Sequence, residues 1–262
     1  MGFCGDCYFQ RGDSLFGGEN SSSTGREVCG PAVGGGFLTK FMKIYLILHK
    51  SRFFYLLCLL IIYSIATALL AEKAYGNICL SVLYSLIALS CLYAVEDRAY
   101  LYVATATVAF ISIVTHWVIY LLYSNNYFYI FSYISNIVFL SIITFFILYS
   151  ITLHQKITLD SLFGAISGYF LVGFIWSSIY LLIASVDPTS FSQPLFTPFI
   201  HLSSMRASYF SFTTLTSLGY GDVLPLSNIA KTCAWLEAVT GQIYMAVWIS
   251  QLVGLRIAQK RE

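Results

Sequence analysis

Long apolar stretches joined by short polar connections dominate the chain from residue 53 onward. An α-helix needs about 20 apolar residues to cross a hydrocarbon core of about 30 Å. The stretches that reach this length are residues 53–71, 77–95, 99–123, 127–152, 162–186 and 228–257, the last of them interrupted by Glu237. The pattern therefore predicts an all-α membrane protein with six transmembrane helices.

A shorter apolar segment lies between the last two predicted spans. It covers residues 207–218, follows a stretch rich in Pro, Ser and Thr, and ends in a glycine-rich loop. Because the segment is too short to cross a bilayer, we expect a re-entrant helix over residues 203–215 that enters the membrane and turns back at the loop.

Composition and charge agree with a membrane protein. Of the 262 residues, 58% are hydrophobic, 17% are aromatic and 10% are charged, whereas a soluble domain carries about 25% charged residues. The formal net charge of +2 gives no indication of nucleic-acid binding. The partner that this composition predicts is a lipid bilayer.

The basic residues predict an orientation, because six spans place both termini on one side of the membrane. If that side is the cytoplasm, the inner residues are Lys40, Lys43, Lys50, Arg52, Arg98, Lys156, Arg256, Lys260 and Arg261, and the outer ones are Lys73, Arg206 and Lys231. Cytoplasmic loops of membrane proteins carry an excess of Lys and Arg. We therefore expect a multi-pass protein of the cell membrane with both termini cytoplasmic and the glycine-rich loop on the outer side.

Residues 1–40 differ in character from the rest of the chain. They are rich in Gly and Ser and contain little that could build a core, so we expect a disordered cytoplasmic segment. Cys4 and Cys7 form a CxxC pair that could bind a metal or change redox state, although no second pair or nearby His accompanies it. Met42, just before the first span, could be the natural start.

The glycine-rich loop has the chemistry of a cation site. A cation that leaves water needs substitute ligands, and backbone carbonyls that converge on one axis can supply them. Gly219 and Gly221 permit backbone dihedrals that other residues avoid. The expected consecutive ion sites are carbonyl rings from Ser217, Leu218, Gly219 and Tyr220. One loop cannot surround an ion, so four chains around an axis are expected; the alternative is a tight turn that only joins two helices.

The run TTLTSLGYGD, from Thr213 to Asp222, closely resembles the potassium-channel signature TxxTxGYGD. The segment LEAVTGQIY, from Leu236 to Tyr244, resembles the inner helix of small bacterial ion-channel proteins. The resemblance to a bacterial potassium channel family covers about residues 203–255. It implies a four-helix region at 41–156 without voltage-sensing charges and a pore domain at 157–262, which contains an outer helix, a pore helix, a selectivity filter and an inner helix.

The resemblance implies roles for individual residues. The filter that binds K⁺ corresponds to Ser217, Leu218, Gly219, Tyr220 and Gly221, and the residues that support it correspond to Thr213, Thr214, Thr216, Asp222 and Glu237. Ser217 replaces the usual Thr, and its less constrained side chain predicts a looser innermost site. Thr213 stands where some channels have a carboxylate that pairs with the aspartate outside the filter.

Glu237 and Gly241 each have two interpretations. An ionised carboxyl within the membrane costs at least about 2.5 kcal/mol. Glu237 is therefore expected either to hydrogen-bond Ser or Thr groups behind the filter or to pack between helices as a neutral acid. Gly241 could be a gating hinge in the last helix, or it could allow a neighbouring helix to approach closely.

Several functional classes lack support in the sequence. The third and fourth spans contain no Arg or Lys, so no charged voltage sensor is expected. His116 and Asn136 could form a second site or simply make interhelical hydrogen bonds. The scattered histidines predict no enzyme and no cofactor other than the permeant ion. The predicted function is passive K⁺ conduction by a homotetramer; the alternative is an electrically silent pore-like subunit that regulates or scaffolds a larger membrane complex.

Overall fold

Seven α-helices make up most of the part of the chain that the structure describes. They are α1 (Arg52–Leu70), α2 (Gly76–Ala94), α3 (Ala99–Leu122), α4 (Asn126–Leu153), α5 (Leu159–Val186), α6 (Ile200–Leu215) and α7 (Asn228–Gln259), with a short 3₁₀ helix at Pro188–Ser190. No β-strand occurs among these residues; a single antiparallel bridge joins Phe191 to Pro225. The expectation of an all-helical protein is confirmed.

The computed structural model describes residues 52–70, 73, 75–94, 99–122, 126–153, 158–196 and 200–259. These residues belong to one unit, Ile44–Glu262. The expected disordered segment at residues 1–40, with Cys4 and Cys7, lies outside the described residues. The predicted boundary between residues 156 and 157 stays a prediction.

Three of the described helices are long and apolar enough to cross a membrane. They contain the spans Arg52–Leu70, Tyr127–Thr152 and Leu159–Val186. Two shorter apolar stretches, Ile78–Tyr93 and Thr105–Val118, lie within α2 and α3. The chain is therefore a multi-pass membrane protein by the length and composition of its helices.

Helix boundaries follow local signals. The α5 helix begins three residues before the predicted position because the Thr158 hydroxyl accepts a hydrogen bond from the Ser161 N–H and caps the helix. It ends where Asp187 adopts an extended conformation with φ −133° and Pro188 follows. A proline disfavours helical dihedrals at the residue before it, so the helix stops there.

The helices pack in chain order. Each of α1 to α4 contacts the next helix, and α1 also returns to contact α5. A core of buried apolar side chains, including Leu56, Ala88, Ile143 and Leu171, joins α1, α2, α4 and α5. Both α6 and α7 pack against α5, so α5 connects the first four helices to the segment that carries the glycine-rich loop.

Candidate functional site: the loop after α6

The loop after α6 is held by the carboxyl end of that helix. The Thr213 carbonyl accepts hydrogen bonds from the N–H groups of Leu218, at 2.9 Å, and Gly219, at 3.1 Å. The Ser217 N–H donates to the Thr214 carbonyl at 2.9 Å. The chain therefore reverses directly at the helix end, where the helix dipole carries partial negative charge. A cation beside this loop would be stabilised by that charge.

The sign of φ alternates along the loop. Positive φ values occur at Ser217 (57°), Gly219 (56°) and Gly221 (79°), whereas Leu218 and Tyr220 between them have none. Ser217 is the one non-glycine residue with positive φ in the described part of the chain. Gly219 and Gly221 thus have the backbone conformations for which glycine was expected at these positions.

Tyrosine side chains support the end of the loop at Tyr220 and Asp222. The Tyr209 hydroxyl donates a hydrogen bond to Asp222 Oδ2 at 2.9 Å. The rings of Tyr209 and Tyr220 are parallel within 4°, with centroids 6.3 Å apart. The Gln193 amide donates to the Asp222 backbone carbonyl at 3.0 Å. Asp222 therefore accepts a hydrogen bond from the tyrosine of α6, while Thr213 faces its own helix.

The α7 helix supports the start of the loop at Ser217. The Gln242 amide donates a hydrogen bond to the Ser217 hydroxyl at 3.0 Å. One residue earlier, a Cβ atom placed on Gly241 would overlap the Leu215 carbonyl oxygen and lie 3.0 Å from its carbon. A glycine is needed at position 241 because the α6 backbone approaches this closely. The hinge role of Gly241 stays a prediction.

The hydroxyls of the threonines at the end of α6 and of Thr216 just after it bond to carbonyls of that helix. Those of Thr213 and Thr214 donate to the Phe210 carbonyl at 3.0 and 2.8 Å, and that of Thr216 donates to the Phe212 carbonyl at 2.7 Å. Serine and threonine often return their hydroxyl proton to the preceding turn in this way. Within one chain, these hydroxyls therefore stabilise the last turn of α6, and the backbone of Thr213 and Thr214 holds the loop.

Glu237 is fully buried and joins α7 to α5 and α6. The Tyr180 hydroxyl donates to Glu237 Oε2 at 2.5 Å. The Ser211 hydroxyl lies 2.5 Å from Glu237 Oε1 and also 2.7 Å from the Gly173 carbonyl oxygen. The carboxyl group thus contacts a serine of α6 and a tyrosine of α5.

A count of protons assigns the charge state of this cluster. The Ser211 hydroxyl has one proton and the Gly173 carbonyl has none, so the serine donates to the carbonyl if both contacts are hydrogen bonds. The proton between Ser211 and Glu237 then belongs to the carboxyl group. With a neutral Glu237, the three groups Tyr180, Ser211 and Glu237 carry three protons, one for each of the three contacts. An ionised Glu237 leaves one contact without a proton and adds a buried charge. Both interpretations of Glu237 in the sequence analysis are therefore compatible with one arrangement.

The two connections that flank α6 are joined to each other. The Ser192 N–H donates to the Leu224 carbonyl at 2.9 Å, and the Leu226 N–H donates to the Ser190 carbonyl at 2.7 Å. In the same connection, the side chain and backbone of Thr189 and the side chain of Ser190 donate hydrogen bonds to the Asp187 carboxylate, which lowers the pKa of Asp187 below its ordinary value. Backbone and side-chain hydrogen bonds therefore hold together the connection before α6 and the connection after the loop.

Sequence reasoning did not anticipate the partners that hold these groups. Tyr180, Tyr209, Gln193 and Gln242 each contact a predicted site residue from a distant part of the chain. The one available signal was Gln242, a polar side chain inside an apolar helix. Among the described residues, no group of His, Cys, Asp and Glu could hold a metal ion.

Three helices long and apolar enough to cross a membrane, a shorter helix that ends at Leu215 and a glycine-containing loop directly after it are the combination expected of a pore-forming membrane protein. A protein-family comparison agrees: the family model described as "Ion channel" matches residues 101–255. The match covers more than half of the chain, which therefore belongs to this ion channel family. No significant match is found among curated proteins or among solved structures. Family membership points to ion transport rather than to catalysis.

Proposed function

We propose that this ion channel is selective for potassium and assembles as a homotetramer. The observation that carries the proposal is the loop at residues 217–221, which follows the carboxyl end of α6 directly and has positive φ at alternate residues. Coordination of a dehydrated cation by a channel uses backbone carbonyls that converge on one axis. K⁺ occupies sites formed by Ser217, Leu218, Gly219 and Tyr220 and passes between them down its gradient. Tyr220, within the GYGD sequence, favours potassium over sodium by resemblance to potassium channels.

The tetramer is supported by the exposure of the loop on a single chain. Leu218 and Tyr220 are 57% and 68% exposed, although the segment lies at the end of a re-entrant helix. Bare backbone groups inside a membrane need partners. In four copies around an axis, the side of each loop that faces away from the axis is covered by protein. The carbonyl groups on the opposite side line the axis.

The remaining helices complete a six-span topology with both termini in the cytoplasm of the cell that expresses the channel. The helices α2, α3 and α7 act as the further spans besides α1, α4 and α5. Neither Ala99–Leu122 nor Asn126–Leu153 contains Arg or Lys, so the protein lacks the charges with which a helix senses voltage. Opening is therefore expected to depend weakly on membrane potential.

A rubidium and sodium flux assay on the purified chain, reconstituted in liposomes, tests this function. The wild type is expected to admit Rb⁺ and K⁺ and to exclude Na⁺. Gly219→Ala is expected to abolish the flux, because a left-handed conformation costs an alanine about 1–2 kcal/mol in each of four subunits. Gly254→Ala makes the same chemical change within α7, where a Cβ meets no atom within 4 Å, and serves as the control.

Two results would contradict the proposal. Equal sodium and rubidium flux would remove potassium selectivity. A purified tetramer that conducts nothing under any potential or lipid composition would instead support an electrically silent subunit of a larger complex.

A further inference from the structure

A polar cavity lies where the first four helices meet the pore helix α6. Its volume is about 80 Å³. Residues from α1 to α6 line it, and a large share of them carry hydroxyl, amide or imidazole groups: Tyr63, Tyr84, Ser112, His116, Tyr129, Ser132, Tyr133, Asn136, Ser177, Ser178, Ser204 and Ser208. The cavity is separate from the loop at residues 217–221.

One wall of the cavity is an ordered chain of hydrogen bonds. The Tyr84 hydroxyl donates to Asn136 Oδ1 at 2.9 Å, and Asn136 Nδ2 donates to the Ser178 hydroxyl at 2.9 Å. Ser178 in turn donates to the Phe174 carbonyl at 2.9 Å. His116 stacks on the Tyr84 ring with centroids 4.7 Å apart. Asn136 thus makes interhelical hydrogen bonds that fix one side of the cavity.

The other side offers hydroxyl groups that this network does not use. Ser132 and Tyr133 are 7% and 9% exposed, and Tyr63 is half-buried. All three line the cavity, and none of them makes a side-chain hydrogen bond to another residue in the described part of the chain. Buried hydroxyl groups in folded proteins nearly always have a partner. These three groups therefore point to a molecule that occupies the cavity and hydrogen-bonds to them.

The lining also restricts what that molecule can be. It contains no Asp, Glu, Lys or Arg, and an unpaired charge is costly to bury, so the ligand is uncharged. Hydroxyls donate and accept, so a ligand with both functions fits best. Since a cavity of about 150 Å³ holds benzene, this one suits a molecule of about three or four non-hydrogen atoms.

We propose that this cavity is a binding site for a small uncharged amide or alcohol, which hydrogen-bonds to Ser132, Tyr133 and Tyr63. Ser204 and Ser208 of α6 are part of the same lining, so the ligand contacts the pore helix directly. Ser208 is also hydrogen-bonded to Ser177 of α5 at 3.1 Å. The site lies between the helices of unassigned role and the element that carries the loop.

Binding is tested by saturation-transfer NMR with acetamide as the probe, on the full-length chain in detergent micelles. The wild type is expected to give a saturable acetamide signal. Ser132→Leu fills the cavity and is expected to abolish it. Ser141→Leu is the matched control, because Ser141 lies on the same helix and is exposed.

A second pair of variants keeps the test valid if Ser132→Leu does not fold. Tyr133→Phe removes one cavity hydroxyl and is expected to weaken acetamide binding about fivefold, the value of one hydrogen bond. Tyr149→Phe makes the same change on the same helix at a position 53% exposed and is expected to leave binding unchanged. No saturable signal, or equal signals from Tyr133→Phe and wild type, would mean that water alone serves these hydroxyls and would overturn the proposal. The readout needs no open pore, so its failure is distinguishable from failure of the proposed function.

Discussion

The charge state of Glu237 leads to a sharp prediction about two substitutions. In Glu237→Gln, the amide nitrogen can donate to Ser211 while the amide oxygen accepts from Tyr180, so both contacts of the neutral acid are kept. In Glu237→Leu, both contacts are lost. We expect glutamine to be tolerated and leucine to destabilise the protein.

The magnitude follows from the contacts at this site. Leucine removes two hydrogen bonds worth about 1 kcal/mol each and leaves the buried Tyr180 hydroxyl without an acceptor, at about 1–3 kcal/mol. Ser211 keeps the Gly173 carbonyl 2.7 Å away as an acceptor, so it adds no such cost. Allowing for the apolar contacts that leucine gains, we expect a loss of about 2–4 kcal/mol for Glu237→Leu and under about 1 kcal/mol for Glu237→Gln.

The assay is denaturant unfolding of the purified protein in detergent, combined with a double-mutant cycle. Tyr180→Phe removes the hydroxyl that leucine would leave without a partner. Glu237→Leu should therefore cost about 1–3 kcal/mol less in the Tyr180→Phe background than in the wild type. If Glu237→Gln is as damaging as Glu237→Leu, the carboxyl group is ionised and the proton count is wrong. If the cycle shows no coupling, the Tyr180 contact contributes nothing to stability.

Three further predictions concern the surroundings of the loop. Gly241→Ala should sharply reduce the yield of folded protein, because its Cβ would collide with the backbone of α6. Size-exclusion chromatography measures this yield, with Gly254→Ala as the control. Tyr209→Phe keeps the ring that stacks in the loop but loses the hydrogen bond to Asp222, so rubidium flux should decay faster during sustained conduction, and an unchanged decay would refute the role. Because hydrogen bonds lower its pKa, Asp187 should stabilise the fold above its ordinary pKa and lose that contribution as pH falls through the lowered value. The difference in melting temperature between wild type and Asp187→Ala should therefore vanish in strong acid.

The helices and the loop were predictable because they depend on local properties of the sequence. Length and apolar composition predicted the helices that end at Leu70, Ala94, Leu122 and Leu153 to within one residue at their starts and ends. The re-entrant helix was expected to end at Leu215, where it does end. Backbone freedom is a property of glycine itself, so the positive φ values of Gly219 and Gly221 could be anticipated, whereas that of Ser217 could not.

The side-chain partners were not predictable because they depend on how separate helices meet. Nothing near Asp222 in the sequence indicates that its carboxylate accepts a hydrogen bond from Tyr209. Tyr209 lies in α6, before the whole of the loop. Likewise, a carboxyl group within an apolar helix predicts that Glu237 has a polar partner. The sequence does not single out Tyr180 as that partner, because Tyr180 lies on another helix among many other tyrosines in apolar segments. The cavity illustrates the same limit: His116 and Asn136 stood out as polar residues within apolar spans, whereas the buried hydroxyl of Ser132 was indistinguishable from those of other serines.

The backbone hydrogen bonds between residues 190–192 and 224–226 have a consequence for how the chain tolerates change. They close α6, the loop and the two connections into a ring whose ends meet where α5 ends and α7 begins. A residue added or removed within this ring changes its length without moving its point of closure. The ends of α5 and α7 should therefore keep their spacing when the length of the enclosed segment changes.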